Sequence, residues 1–204
     1  MNVAKPYTAI SATIDTELLV TLVGSREARS GRQLAEEIGR SPTGVQHVLD
    51  RLVSEGLVHR VGAGRAFLYT FNYDHLLAEA VQEMAGARAE LVRRLREQVM
   101  DWKIEPRHLS LFGSAARGDG DRESDIDLFL VRPIRVDPED ESWREQVEQL
   151  AERVYGWTGN NAGIVELGER QLPGLRRRRP PALRELDRDA IDVAGSPVRK
   201  LLRK

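Results

Sequence analysis

The sequence has no cysteine, almost no net charge and no long apolar run, and each absence removes a class of protein. With no cysteine among 204 residues, disulfides and thiolate zinc sites are excluded, and a reducing cytoplasm fits. A formal net charge of −1 gives no global basic signature, so any nucleic-acid binding must come from a local patch. No run approaches the ~20 apolar residues that span a bilayer. The stretch Met1 to Ile14 lacks the basic start and apolar core of a signal peptide. What remains is polar: 31% of residues are charged and mean hydropathy is −0.43. The expectation is a cytosolic protein without a membrane segment, long enough for two compact domains.

The first half reads as helices followed by a hairpin. Thr16 to Val23 is an apolar helix. Ser30 caps a second helix over Gly31 to Ile38, which Gly39 terminates. Ser41-Pro42 opens a third, with serine as cap and proline at the first helical position. Its stripe is Val45, Val48, Leu49, Leu52 and Val53, and it runs to Glu55 before Gly56. The β-rich runs 57–61 and 66–71 are joined by Gly62-Ala63-Gly64-Arg65, a turn with a basic tip. A long helix is expected from Asp74, its cap, to about Trp102. The expected organisation is 1–73, a linker helix 74–105, and a second domain 106–204.

The second half opens on Leu109-Ser110-Leu111-Phe112-Gly113-Ser114 and, after a polar loop, continues as Ser124-Asp125-Ile126-Asp127-Leu128-Phe129-Leu130-Val131. Alternation along a strand sends Asp125 and Asp127 to one face, while Ile126, Leu128 and Leu130 pack on the other. Paired carboxylates suit Mg²⁺, which takes oxygen ligands and keeps company with substrate phosphates. A Gly-Ser turn offers N–H groups and a hydroxyl to a phosphate. Together they suggest nucleotidyl transfer. Beyond lie an amphipathic helix from Pro138 to Tyr155, with acids in its first turn, a turn over 156–161 holding Trp157 and Asn160, and a strand from Ala162 to Leu167 containing Glu166. The tail carries the basic run Arg176 to Arg179 and two short helices, near 182–189 and 197–203. This run is either a solvated linker or a dock for an acidic or RNA acceptor. His47, His59, His75 and His108 show no metal-ligand spacing.

Two resemblances follow from these motifs. Ile14 to Phe71, notably Leu34-Ala35-Glu36-Glu37-Ile38 and Ser41-Pro42-Thr43-Gly44-Val45-Gln46-His47-Val48-Leu49, resembles bacterial winged helix-turn-helix regulators. That resemblance implies DNA contacts from Ser41, Thr43, Gly44, Gln46 and His47 on the second helix and from Arg60 and Arg65 on the wing. Such domains also serve in dimerisation or partner binding, and a homodimer is expected. Leu109 to Leu167 is similar to the DNA polymerase β-type superfamily, closest to its small minimal nucleotidyltransferases. The fold class implied is α+β: a winged helix, a linker helix and a small mixed-sheet nucleotidyltransferase domain. By that resemblance Asp125 and Asp127 would hold two Mg²⁺ ions on the triphosphate of ATP or another NTP, and Gly113 and Ser114 would contact phosphate. Arg117 would contact phosphate or form a surface ion pair. Glu166 is the candidate third carboxylate that activates the attacking hydroxyl. The implied activity is transfer of a nucleoside monophosphate, AMP first, to a hydroxyl on a protein (a toxin-like partner), an RNA or a small molecule. The alternative is a regulator whose nucleotidyltransferase domain binds nucleotide without catalysis.

Overall fold

A computed structural model describes residues 1–178 and 181–203; Arg179 and Pro180, within the basic run, lie outside the described residues. The chain divides into two compact units, Pro6–Ala87 and Met1–Lys5 with Arg88–Lys204. The division therefore falls inside the long helix rather than at its ends, and the first five residues belong with the C-terminal unit.

The N-terminal unit is built from α1 (Ile14–Val23), β1 (Arg29–Ser30), α2 (Gly31–Ile38), α3 (Pro42–Ser54), β2 (Val58–Ala63) and β3 (Ala66–Phe71). Helix α2 starts at a complete capping box: the Ser30 side chain accepts from the Gln33 amide, and the Gln33 side chain accepts from the Ser30 amide. Gly39 ends it at φ 66°. Ser41 caps α3 by accepting from the Gly44 amide at 3.2 Å, and Pro42 sits in the first turn. The strands pair antiparallel in the order β1-β3-β2. Leu18, Leu22, Leu34, Val45, Leu49, Leu52, Tyr69 and Phe71 close the core. This is a winged helix. The long helix α4 is Ala78–Met100, shorter at its start than the sequence suggests. Asp74 is not its cap: the Asn72 side chain accepts from the Asp74 amide at 3.1 Å and His75 Nδ1 from the Leu77 amide at 3.1 Å, so residues 72–77 form turns.

The C-terminal unit is a four-stranded mixed sheet of β4 (His108–Leu111), β5 (Ile126–Arg132), β6 (Ala162–Gly168) and β7 (Ile191–Gly195), in the order β6-β5-β4-β7. Strands β5 and β6 are parallel, and the other pairs are antiparallel. Its helices are α5 (Gly113–Arg117), α6 (Glu141–Thr158), α7 (Leu172–Arg178), α8 (Pro181–Asp189) and α9 (Val198–Arg203). One face of the sheet (Leu109, Leu111, Ile126, Leu128, Leu130) packs with Leu91, Leu95 and Val99 of α4, Trp143, Leu150 and Val154 of α6, and Val3. On the other face Phe129 and Val131 pack with Leu172, Leu186, Val198 and Leu201. Being covered on both sides, β5 reads as an almost unbroken apolar run. Helix α6 continues through Thr158, where the sequence suggests a turn from 156. Only the second of the two glycines, Gly159 at φ 70°, takes the left-handed cap conformation. Strand β7 was not anticipated.

His108 is fully buried on β4, with Nδ1 2.8 Å from the Ser196 carbonyl and Nε2 2.9 Å from Ser110 Oγ. Burial pushes its imidazole below the ordinary 6.5, against the opposing pull of the Ser196 carbonyl and Asp192. The unfolded chain therefore binds a proton at this residue before the folded one does, and stability must fall as pH drops below 6.5 towards the depressed value. All three tryptophans, Trp102, Trp143 and Trp157, lie in this unit, so their fluorescence reads its unfolding alone. Denaturant midpoints are expected to fall between pH 7.5 and 5.5, and His108→Gln is expected to flatten that slope.

Candidate functional site

The amino end of β5 brings the two aspartates to the Gly113 turn. Gly113 follows β4 with φ 68°, a conformation that L side chains rarely adopt. A Cβ there would collide with the Asp127 carboxylate. On the neighbouring strand, Gly163 is the register partner of Asp127; a Cβ on it would lie 3.0 Å from Asp127 Oδ1 and 3.6 Å from the Asp125 Cβ. Two glycines thus flank the acid pair, and both aspartates stand on the same face, as strand alternation requires. The Phe112 amide donates to the Asp127 carbonyl at 2.9 Å and ties the turn to the strand.

Among the described residues, neither Asp125 nor Asp127 has a side-chain hydrogen bond or ion pair. Burial raises the Asp127 carboxyl above the ordinary 3.8, helped by the charges of Asp125 and of Glu185 on α8 and opposed by Arg117. The pair is short of positive charge. No group of three His, Asp or Glu side chains gathers into a metal cage among the described residues. The two carboxylates fit a cation whose remaining ligands are water and substrate oxygens, the usual coordination of Mg²⁺. The Ser114 hydroxyl has no hydrogen-bond partner among the described residues and faces Gly120, whose Cβ would sit 2.8 Å from it. Arg117 is an ion-pair residue here: Nε meets Asp119 at 2.9 Å and Nη1 meets Asp189 of α8 at 3.4 Å.

The structure does not bring Glu166 to this site. Its register partner is Leu130, and it shares a face with Ala162 and Ile164, which pack into the α4/α6 core. There it accepts from Arg132 and, at 3.1 Å, from Trp143 Nε1. The strand position that does face the aspartates is Gly163. The carboxylate whose charge reaches Asp127 besides Asp125 is Glu185.

Asn160, in a segment the sequence suggests is a turn, supports the loop before β5. It is 5% exposed. Its Nδ2 donates to the carbonyls of Arg122 at 3.2 Å and Ser124 at 2.8 Å, and the next residue's carbonyl accepts from the Ile126 amide at 2.8 Å. The side-chain amide of Asn160 thus ties down the loop that delivers Asp125, beside the loop's own Asp121–Ser124 hydrogen bonds. The sequence signal was the Gly-x-x-Gly-Asn-Asn run after an amphipathic helix, which is a C-cap with a spare amide.

In the N-terminal unit, Thr43, His47 and Arg65 are exposed without side-chain hydrogen bonds among the described residues. The other candidates are engaged internally. Ser41 caps α3 and lies against Gly44. Gln46 Nε2 donates to Asp50 and to Tyr69 Oη, both at 3.0 Å. Arg60 pairs with Asp50 at 3.2 Å and stacks over the Phe67 ring at 4.8 Å.

Replacing Asn160 removes the donor from the carbonyls of Arg122 and Ser124. Asn160→Ala is expected to lower the denaturant midpoint of the C-terminal unit, read by tryptophan fluorescence, with little change in the far-ultraviolet spectrum. Asn160→Asp, which cannot donate, is expected to be worse than alanine.

Residues 92–158 match the family model described as a nucleotidyltransferase domain. A comparison with curated proteins found no match. Among solved structures, a MarR-family transcriptional regulator from Rhodococcus sp. RHA1 is 21% identical, with a TM-score of 0.33 over 44% of this chain and 63% of its own. The YusO protein from Bacillus subtilis is 16% identical, with a TM-score of 0.34 over 46% of this chain and 68% of its own. The toxin–antitoxin pair MntA–HpeT is 15% identical, with a TM-score of 0.38 over 54% of this chain and 80% of that chain. The chain spans under two thirds of the Rhodococcus regulator, and at these scores the fold rests on the chain's own geometry. The segment similar to nucleotidyltransferase domains, residues 92–158, holds the Gly113 turn and both aspartates and stops before β6.

Proposed function

We propose that the C-terminal unit transfers a nucleoside monophosphate from a nucleoside triphosphate, ATP first, to a hydroxyl of an acceptor, with Asp125 and Asp127 holding Mg²⁺. The observation that carries the proposal is the uncompensated Asp127 carboxylate set directly over the left-handed Gly113. When bound, Mg²⁺ would supply Lewis-acid stabilisation of charge on the phosphate oxygens. The chain's own groups do the rest. The Ser114 hydroxyl is free to donate to a phosphate oxygen. Gly113 and Gly163 keep side chains away from the space around the carboxylates. Arg117 reaches phosphate only by leaving Asp119 and Asp189.

A second reading has an observation behind it. With glycine at 163 and Glu166 on the far face, β6 provides no third carboxylate beside the pair, which suits nucleotide binding without transfer. Under the transferase reading, Glu185 is the acid left to take the acceptor's proton.

The two readings separate in one experiment. The protein is incubated with α-labelled ATP and Mg²⁺, with and without the product of a neighbouring gene or an RNA pool. Label transfer is expected, falling at least 100-fold in Asp125→Asn/Asp127→Asn and at least 10-fold in Glu185→Gln, with tryptophan fluorescence unchanged. Nucleotide binding without transfer to any acceptor would favour the second reading.

We further propose that the N-terminal unit binds duplex DNA through the exposed start of α3 and the wing tip. Arg65→Ala is expected to weaken binding uniformly across sequences and to reduce the salt slope by about 1. Thr43→Ala and His47→Ala are expected to change sequence preference. No affinity for any duplex at 50 mM salt would leave partner binding as the role.

A further inference from the structure

At the carboxyl ends of β5 and β6, six β-strand steps or ~20 Å from the aspartates, two clefts adjoin. The larger, about 380 Å³, is lined by Arg132, Arg135, Arg170 and Asp137 among others; the smaller, about 280 Å³, by Arg107, Arg176 and Lys200; Glu169 lines both. Six cations thus line the two clefts beside Asp137 and Glu169, with Glu166 as the partner of Arg132, in a chain whose net charge is −1.

The wall between the clefts is fixed. Glu169 accepts from Arg107 Nε at 3.0 Å and from the Ile134 amide at 3.3 Å, joining the residue before β4, the loop after β5 and the turn after β6. Gln171 accepts from the Gly168 amide at 2.7 Å and sets that turn. Arg132 is spent on Glu166 and the Val136 carbonyl. Arg135, Arg170 and Lys200 have no ion-pair partner among the described residues, and Asp137 is occupied in part by the Glu139 amide at 2.8 Å. The structure therefore leaves two guanidiniums on the larger cleft with their donors unspent.

We propose that the larger cleft is a second, metal-independent anion site that takes phosphate groups, with Arg135 and Arg170 as its principal ligands. Guanidinium matches phosphate through paired N–H donors, and the cleft volume suits a ligand no larger than a nucleotide. No aromatic side chain lines either cleft, so the site lacks a platform on which bases could stack. It reads phosphate.

Calorimetric titration of the full chain with tripolyphosphate, in EDTA at 50 mM salt, tests the assignment without involving the aspartates. Binding is expected in the micromolar range, weakening at least 10-fold in Arg135→Ala/Arg170→Ala and unchanged in Asp125→Asn/Asp127→Asn. AMP as a parallel probe separates sources: affinity above that of inorganic phosphate assigns a nucleotide, and equal affinity assigns free phosphate. Absence of binding, indifference to the arginine substitutions, or loss in the aspartate variant would each overturn the proposal. Failure here leaves the transfer chemistry at Asp125 and Asp127 untouched, because that chemistry needs metal and this binding does not.

Discussion

Everything at the candidate site depends on the Asp127 carboxylate lying where a side chain at position 113 would otherwise begin. Glycine is required there twice over, for its φ of 68° and for the missing Cβ. The strained turn is stabilised from both sides: the Phe112 amide bonds to the Asp127 carbonyl, and the Gly118 and Asp119 amides both reach back to the Ser114 carbonyl at 2.8 and 3.1 Å. Close approach of turn and strand then follows from backbone hydrogen bonds, which hold geometry more tightly than side-chain contacts. The Asp127 carboxylate is thereby set in a partly buried position beside a second carboxylate. Its raised pKa is the consequence, and a cation with open coordination positions is what would relieve it.

The same sheet separates its charges along the strand direction. At the amino end of β5 the acids lack countercharge; at its carboxyl end Arg132 and its neighbours are in excess. The apolar middle of the strand, buried on both faces, keeps these fields apart by about two Debye lengths at physiological salt. Under the readings proposed above, an anionic ligand carrying metal would go to one end and a bare phosphate to the other. Parallel pairing of β5 with β6 makes this possible, since it places like ends together and brings Arg132 and Gly168 into register.

Local chemistry was legible in the sequence where one residue decides one feature. Ser30, Gly39, Ser41 and Pro42 marked helix ends that the structure reproduces, because caps act within one turn. The apolar pattern of β5 and the Asp-x-Asp alternation were equally plain. What failed did so for non-local reasons. Asp74 was a reasonable cap in isolation, but Asn72 and His75 compete for the same amides. Gly156 and Gly159 are equivalent letters, and only the end of the packed α6 face decides which terminates the helix. Strand β7 is a short, half-exposed segment whose identity comes from pairing with β4. Its place at the sheet edge is invisible to periodicity.

Glu166 shows why the candidate site was only partly readable. Being the one acid in its strand made it a natural choice, yet a strand gives an acid two possible faces, and the face is fixed by register with the neighbour. Pairing Asp127 with Gly163 sends residues 162, 164 and 166 into the core. A slip by one residue would reverse every assignment and bury the wrong set. The core chooses the register through Ile164 and Ala162, so packing excludes Glu166 from the site, and its carboxylate is consumed by Arg132 and Trp143. Under the proposed transfer reading, a base for the acceptor hydroxyl would then come from outside the sheet. Helix α8 qualifies on physical grounds: Leu186 anchors it in the cluster with Phe129, Asp189 ties it to α5 through Arg117, and Glu185 stands one turn before Asp189 on the same side of the helix. The Asp187 carbonyl, which accepts from Arg199 Nε at 3.1 Å, ties α8 to α9 as well.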